Sequence, residues 1–401
     1  MTQTQKRTGG RILVDQLVLQ GCDRIFSVPG ESFLAVLDAL HDTPQIQNVV
    51  CRQEGGVTFM ACADGTLTGR PGVAFVTRGP GATNASIGVH VAMQDSQPMI
   101  LFIGDVDRGM KDREGFQEVD FAAMFSPLAK WAVRIDDPAR IPEYVARAYN
   151  VAMSGRPGPV VIALPEDMLC EEAEAMDRPR IDPVVQATPA PHMTDLAARL
   201  AAAKSPVAII GGAGWTPEAA RDIQIFAERW GIPVAAGFRR QDAMANDSAV
   251  WAGNLGYGPN PKLVARIKAA DLVLAIGARL GEATTDSYTL ITPDHPDQQL
   301  IHVHPDPAEL DRVYRTDLAI CADMTRFAAA AAALPAPASP FASGAQAHGE
   351  WQAWNTPAPF DTRVDLGMCV AAMRGRWSTC SSTTGSTCSP SLASPRVCCT
   401  W

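Results

Sequence analysis

The sequence predicts an α/β protein in which parallel sheets are flanked by helices. Short apolar segments rich in β-branched residues alternate with longer segments whose apolar residues recur at helical spacing. Glycine-containing turns join many of these pairs, as in residues 24–40, 47–67, 72–93 and 98–110. Because this alternation is typical of strand–helix–strand units, we expect each sheet to be parallel and buried between helices.

Length and composition limit the function classes. With 401 residues, 47% of them hydrophobic, the chain is long enough for two or three domains with real cores. The net charge of -9 and the lack of a basic cluster argue against nucleic acid or an anionic membrane as a partner. No secretory h-region and no uninterrupted apolar window of about 18 residues is seen, so we expect a cytoplasmic protein without membrane spans.

The elements divide the chain into successive domains. A first α/β domain is predicted over residues 1–182 and closes with an apolar strand at 160–164. A Pro- and acid-rich connection leads to a central domain over residues 189–334, whose strands and helices alternate as in a Rossmann fold. The alanine run at 328–333 and residues 335–360 suggest a second linker of low complexity, with residues 361–401 as the start of a third domain.

The central domain offers two weaker signals. Gly211-Gly212-Ala213-Gly214 follows its first strand but falls short of the Gly-x-Gly-x-x-Gly pattern, so a nucleotide-binding oxidoreductase is kept only as an alternative. His302 and His304 flank one strand residue and therefore face the same side. Because no Cys or Asp stands at ligand spacing from them, we interpret both as structural and expect no metal site.

Glu54 is the central candidate residue. It follows the apolar strand end Val49-Val50 and precedes a helix, which places its carboxylate at the carboxyl end of a strand, where ligands collect in parallel sheets. A helix N-terminal acid that favours the helix dipole is the structural alternative.

Two further segments are weak indications of a functional site when each is taken alone. Residues 73–77 form a strand that runs through Thr77 into the turn Gly79-Pro80-Gly81, and Asn84 lies in the helix that this turn opens. Gln117 stands in a polar loop after Phe116 and taken alone is a surface residue.

In this order and spacing, the motifs resemble the thiamine-diphosphate-dependent decarboxylases and carboligases, most of all acetolactate synthase large subunits. The resemblance covers residues 11 to about 327. Its carriers are Val28-Pro29-Gly30, Cys51-Arg52-Gln53-Glu54-Gly55-Gly56, Gly79-Pro80-Gly81-Ala82-Thr83-Asn84, Gln94-Asp95-Ser96-Gln97-Pro98, Phe116-Gln117-Glu118, Ser154-Gly155-Arg156-Pro157-Gly158-Pro159, Gly277-Ala278-Arg279 and His302-Val303-His304-Pro305-Asp306-Pro307.

The resemblance implies a pyrimidine-binding domain, then a central domain, and a chemistry on 2-keto acids. Glu54 matches the residue that bonds the N1′ nitrogen of the cofactor's aminopyrimidine and favours its imino tautomer. Gln117 matches a glutamine that reaches the reacting centre of a neighbouring subunit, so a homodimer or homotetramer is expected. The cofactor-binding positions that the resemblance implies are Pro29, Gly30, Glu54, Thr77, Gly79, Pro80 and Asn84.

The chain departs from the family pattern in three places. Gln53 stands where the family commonly has His, which leaves the keto acid open, and the segment after Gly281 lacks the acidic run expected for FAD. No Gly-Asp-Gly is present to begin the Mg²⁺-binding motif of the diphosphate domain. The Ser-, Thr- and Cys-rich tail is interpreted either as a disordered segment or, as we favour, as the product of a frameshift near Met373. Under both interpretations we expect a truncated chain that is inactive alone.

A non-catalytic partner of a full-length relative is the second alternative. The helices at 56–67 and 85–93 carry apolar residues on more than one face, which predicts a surface that another protein domain covers. We also expect the tail from Trp377 to be sensitive to proteases.

Overall fold

The computed structural model describes residues 6–294, 296–356, 366–370, 372 and 373. Two compact units meet at Val185 and Gln186 in the sequence, and each is built on one six-stranded sheet. All strand pairs in both six-stranded sheets are parallel, and helices cover the sheets, which confirms the predicted α/β class. The predicted tail from Trp377 lies outside the described residues.

The first unit contains the sheet β3-β2-β4-β5-β7-β6. Its strands are β1 Lys6–Thr8, β2 Arg24–Ser27, β3 Gln47–Val50, β4 Gly72–Val76, β5 Met99–Asp105, β6 Trp131–Arg134, β7 Pro159–Pro165 and β8 Glu172–Glu174. Its helices are α1 Gly9–Leu19, α2 Leu34–His41, α3 Glu54–Thr68, α4 Pro80–Asp95, α5 Phe121–Phe125, α6 Ile141–Met153 and α7 Glu166–Cys170.

The central strands of this sheet are buried on both faces, because helices lie above and below them. In β4 and β5, alternate residues belong to different core clusters: Phe75 and Phe102 stack at 4.8 Å on one face, whereas Val76 and Ile103 pack on the other. Helices α3, α4 and α5 contribute to the second cluster and α1, α2, α6 and α7 to the first. This explains the continuous apolar strand sequences that predicted a parallel sheet.

A short antiparallel ribbon, which the sequence did not suggest, lies beside the main sheet of the first unit. Strand β1 pairs with β8, with Arg7 opposite Ala173. Arg7 extends the contact because its guanidinium donates to Asp15 at 2.7 Å and to Asp177 at 2.8 Å. The acid-rich segment interpreted as a connection therefore contains the ordered elements α7 and β8.

The second unit contains the sheet β11-β10-β9-β12-β13-β14. In this unit the strands β9, β10 and β11 are added in one direction across the sheet, and β12, β13 and β14 in the other. The direction therefore reverses between the neighbouring strands β9 and β12. The strands are β9 Pro206–Ile210, β10 Val234–Ala236, β11 Trp251–Asn254, β12 Leu272–Ile276, β13 Gln299–His304 and β14 Leu318–Cys321. The helices are α8 Ala190–Ala202, α9 Pro217–Trp230, α10 Pro261–Lys268, α11 Met324–Ala332 and α12 Ser343–Trp354.

Two segments that composition assigned to a linker are helical. The alanine run lies in α11, whose residues Ala328 and Ala331 are buried in the core with Phe327. Helix α12 lies within residues 335–360 and packs through Trp351 on the same core. Small residues allow this close packing, and the low complexity of the sequence therefore concealed core positions.

Candidate functional site

The first unit brings its predicted site residues to one edge of the sheet. Strands β2, β3 and β4 are adjacent and parallel, so the segments that follow their carboxyl ends lie side by side. Pro29 and Gly30 follow β2, Glu54 follows β3, and Thr77 follows β4. This edge is where parallel α/β sheets place their ligands.

Glu54 is the first residue of α3 and is half-buried. The side chain of Gln53 caps this helix, because its Oε1 accepts a hydrogen bond from the Gly56 N–H at 3.1 Å. The carboxylate of Glu54 accepts one hydrogen bond at Oε2, from Nδ2 of Asn84 at 3.0 Å. Within the part of the chain that the structure describes, its other oxygen, Oε1, has no protein hydrogen-bond partner.

Thr77 lies between the two glycine turns. A Cβ atom on Gly30 would stand 2.5 Å from the Thr77 Cβ, and one on Gly81 would stand 2.8 Å from its Cγ2. The Thr77 hydroxyl also hydrogen-bonds with the buried Ser32 at 2.8 Å. Glycine is therefore required at both turns so that the loops after β2 and β4 can pack on Thr77.

The loop after β5 reaches the same edge. Gly79 has a φ of 58°, and a Cβ placed on it would lie 2.6 Å from the Cβ of Gln117. Gln117 thus lies against the turn that opens α4, where Pro80 occupies the first helical position. Its neighbour Phe116 is 78% exposed. The structure therefore brings Gln117 to the turn at Gly79 and Pro80.

Helices α3 and α4 run parallel in close contact. The Thr58 hydroxyl donates to the Ala85 carbonyl at 3.2 Å, and a Cβ on Gly88 would lie only 2.1 Å from that hydroxyl. Thr58 lies one helical turn after Glu54 on α3, and Gly88 lies one turn after Asn84 on α4. The Thr58–Gly88 contact and the Glu54–Asn84 contact therefore lie on the same faces of the two helices, one turn apart. This contact fixes the distance between the helices that Asn84 spans.

Two polar residues near this edge were missed by sequence reasoning. Ser32 is fully buried, and its only sequence signal was its place in the turn after β2. Asp105 is the last residue of β5 and is buried. Its Oδ2 atom lies 3.4 Å from Nε of Arg134. Burial raises the pKa of Asp105, although the Val106 N–H and the Arg134 charge act in the opposite direction. The sequence did contain a signal for Asp105, because an acidic residue at the end of an otherwise apolar strand indicates a carboxylate at the edge of the sheet.

At the turn after β9, the corresponding edge of the second unit is closed by its own chain. A Cβ on Gly212 would lie 2.0 Å from the Gly277 carbonyl oxygen, and the Trp215 indole donates to the Gly211 carbonyl at 2.7 Å. The glycines thus have a packing explanation. Helix α9 begins at Pro217, and Thr216 caps the Ala219 N–H.

His302 and His304 are buried on the same side of β13, with ring centroids 6.1 Å apart. Burial lowers the pKa of His302, and burial together with the neighbouring His302 lowers the pKa of His304 to about 4. A small cleft of about 100 Å³ lies beside His302. Glu309 in its wall is ion-paired with Arg279 at 3.5 Å and with Arg312 at 2.9 Å.

No group of three or more His, Cys, Asp or Glu side chains among the described residues is arranged to hold a metal ion. Over the same residues, every helix is too short or too polar to cross a membrane.

Comparisons with known proteins agree with this architecture. Residues 7–124 match the model "Thiamine pyrophosphate enzyme, N-terminal TPP binding domain", and residues 193–331 match "Thiamine pyrophosphate enzyme, central domain". The chain is 31% identical over 323 residues to an acetolactate synthase large subunit of Corynebacterium glutamicum, which covers 80% of this chain and 51% of the relative.

Two further relatives give the same result. An acetolactate synthase of Mycobacterium bovis is 32% identical over 324 residues, which are 80% of this chain and 52% of the relative. An acetolactate synthase of Bacillus subtilis is 31% identical over 326 residues, covering 80% and 55% respectively. The chain therefore spans about half the length of the curated relatives it matches.

Fold and site together define an α/β protein in which a carboxylate at the start of a helix lies at the carboxyl edge of a parallel sheet. The two family models match the two units of the chain in the order in which the units occur. The chain belongs to the thiamine pyrophosphate enzyme family, and the three relatives named above are acetolactate synthases.

Proposed function

We propose that this chain binds the aminopyrimidine half of thiamine diphosphate at Glu54, in an enzyme that decarboxylates or joins 2-keto acids. One observation carries the proposal: Glu54 presents Oε1 at the carboxyl edge of the sheet, while Oε2 is held by Asn84. The space beside Oε1 supports it, because a Cβ atom on Gly81 would lie 3.6 Å from that oxygen. A carboxylate with one free oxygen suits a ring nitrogen with which it shares a proton.

We assign roles to the residues around Glu54 from their positions at the carboxyl edge of the sheet. Pro29 and Gly30 form one side of the edge, and Thr77 holds the Gly30 and Gly81 turns together. Gly79 and Pro80 begin α4, which carries Asn84 to Glu54. We assign Gln117, against Gly79, to the reacting centre, where its amide would orient the 2-keto acid.

The chemistry of the bound cofactor sets what Glu54 must do. When bound, thiamine diphosphate supplies a stabilised carbanion, which lets a 2-keto acid lose carbon dioxide or join a second carbonyl compound. From the first position of α3, Oε1 of Glu54 would hold a proton against a ring nitrogen of the cofactor.

Binding of thiamine diphosphate to the full chain tests the proposal. Isothermal titration should show binding to the wild type and at least tenfold weaker binding to Glu54→Gln, because a hydrogen bond to a charged group contributes about 1.5–3 kcal/mol. Glu172→Gln removes an exposed carboxylate from β8 and is the matched control. Equal affinities for the wild type and Glu54→Gln would refute the role of Glu54.

We further propose that this chain does not turn over 2-keto acids by itself. It spans about half the length of the acetolactate synthases that it resembles. The full-length family is expected to hold the diphosphate through Mg²⁺, and this sequence contains no Gly-Asp-Gly to begin such a motif. An assay with pyruvate, thiamine diphosphate and Mg²⁺ checks this, and turnover above the protein-free rate contradicts it.

We propose that a second copy of the chain covers the apolar surface next to the site. Helices α3 and α4 expose Phe59, Met60 and Ile87, the last of them 53% exposed. Light scattering after size exclusion should give a mass above 42.7 kDa at micromolar concentration. Ile87→Glu should lower that mass, whereas Ile225→Glu, at a 46% exposed position on α9, should not.

A further inference from the structure

We propose that Asn84 is a positioning residue that holds the Glu54 carboxylate in one orientation, so that Oε1 remains turned to the ligand. This proposal rests on the function proposed for Glu54. Nδ2 of Asn84 donates to Oε2 at 3.0 Å, the single side-chain hydrogen bond of that carboxylate among the described residues. Asn84 then acts through Glu54 and has no need to contact the cofactor itself.

The chemistry of an amide suits this role. A carboxylate rotates about its last side-chain bond, and one fixed donor selects which of its oxygens faces the neighbouring helix. Asparagine adds no charge, so it orients Glu54 without forming the ion pair that Lys or Arg would form. Oε1 therefore keeps its full capacity to share a proton with a ligand.

The packing of α3 on α4 explains why so short a side chain reaches Glu54. One turn further along the two helices, Gly88 allows the backbone of α4 to approach the Thr58 hydroxyl, which bonds the Ala85 carbonyl at 3.2 Å. This close approach sets the separation between the helices at Glu54 and Asn84. The pair is therefore built into the helix contact and does not depend on a flexible loop.

A purely structural role for Asn84, in which it only ties α4 to α3, gives different expectations. Its removal would then lower stability and weaken every ligand of the site equally. A positioning role instead changes the discrimination between two ligands that differ only in the atom that faces Oε1. The two roles are thus separated by a ratio of affinities, measured beside the unfolding midpoint.

The ligand-free arm of the test examines the contact itself. The full chain contains seven asparagines, so selective ¹⁵N-asparagine labelling gives few side-chain NH₂ signals, and Asn84→Ala identifies the pair that belongs to Asn84. Glu54→Ala should shift these signals, and the control Glu172→Gln should leave them in place. Unchanged Asn84 signals in Glu54→Ala would overturn the proposal without any ligand being present.

The ligand arm compares thiamine diphosphate with its analogue in which the ring nitrogen N1′ is replaced by carbon. The wild type should prefer thiamine diphosphate by about tenfold or more. Asn84→Ala should reduce this preference at least threefold, because no fixed donor then selects which oxygen of Glu54 faces the ligand. Thr83→Ala, one residue earlier on α4 with its hydroxyl bonded to the Pro80 carbonyl, should leave the preference unchanged.

The outcomes separate the two proposals. An unchanged preference in Asn84→Ala, or equal weakening of both compounds, assigns Asn84 a structural role and overturns the inference while the function of Glu54 stands. Failure of the wild type to bind either compound overturns the proposed function and, with it, the ligand half of this inference. The NMR arm still decides in that case whether Asn84 and Glu54 are paired.

Discussion

The two units of this chain use the same architecture, yet the carboxyl edges of their sheets differ. In both, a glycine-containing turn follows an early strand of a parallel sheet. In the first unit, Glu54 keeps a carboxylate oxygen to which none of the described residues donates a hydrogen bond. In the second, Gly212 packs on Gly277 and Trp215 bonds Gly211. A glycine turn therefore marks close backbone packing, and only the polar atoms left available beside it indicate a ligand site.

The largest expected effect tests the closed edge of the second unit. Gly212→Ala combines a φ of 69° with a Cβ that would lie 2.0 Å from the Gly277 carbonyl oxygen, so we expect a loss of about 2–4 kcal/mol in the free energy of unfolding. Urea unfolding followed by tryptophan fluorescence measures it. Gly258 has a similar φ of 72° but no atom within 4 Å of its Cβ position, so Gly258→Ala should lose only about 1 kcal/mol. Equal losses would show that this edge is not tightly packed.

The next effect concerns the buried histidines of the same unit. The pKa of His304 is lowered to about 4 by burial and by the neighbouring His302, whereas an unfolded histidine titrates near 6.5. The unfolded chain therefore binds more protons between these values, so this contribution is fully present above about pH 6.5 and is lost as the pH falls towards 4. We expect up to about 3 kcal/mol of stability to depend on this range.

Urea unfolding at pH 7.5 and pH 5 measures that dependence, with His304→Gln as the comparison. The free energy of unfolding of the variant should fall less between pH 7.5 and pH 5 than that of the wild type, because the variant has one buried imidazole fewer. His348, which is half-buried and bonds the Trp251 carbonyl, is the control position. If His304→Gln and the wild type lose the same stability on acidification, His304 does not titrate as inferred.

A smaller effect tests the open edge of the first unit. Gly81→Ala would place a methyl group 3.6 Å from Oε1 of Glu54 and against the Thr77 side chain. We expect roughly tenfold weaker binding of thiamine diphosphate, which corresponds to about 1.4 kcal/mol. Gly56 lies on α3, and no atom is within 4 Å of the position that a Cβ would take there. The Gly56→Ala variant should therefore bind thiamine diphosphate as the wild type does and be slightly more stable than the wild type. Normal binding by Gly81→Ala would mean that the ligand does not occupy this space.

The smallest effect tests how the open edge is supported. Ser32→Ala removes the hydroxyl that bonds Thr77 at 2.8 Å, and we expect a loss of about 1 kcal/mol in stability. Ser86→Ala on α4 loses only a local bond to the Thr83 carbonyl and should be nearly neutral. Thermal unfolding compares the two variants, and equal midpoints would remove the supporting role given to Ser32.

Much of the fold was predictable because apolar periodicity is local. Strands β4 and β5 read as continuous apolar runs, and Glu54 could be placed at the turn after β3 from its neighbours alone. The pairing of Asn84 with Glu54 was not predictable from periodicity, because it depends on two helices packing in parallel. For the same reason composition misassigned α11, whose alanines are small enough to be buried against Phe327.

The ribbon of β1 and β8 affects how the first unit is made on the ribosome. Strand β1 leaves the ribosome well before its partner β8, which is synthesised only after β7. The roughly 160 residues between them take on the order of 10–30 s to synthesise at 5–20 residues per second. Strand β7 also separates β5 from β6 in the sheet. The nascent chain thus exposes the edge of β5 while the roughly 50 residues between β5 and β7 are synthesised, which takes on the order of 3–10 s at the same rate and is the period when a chaperone would protect this edge.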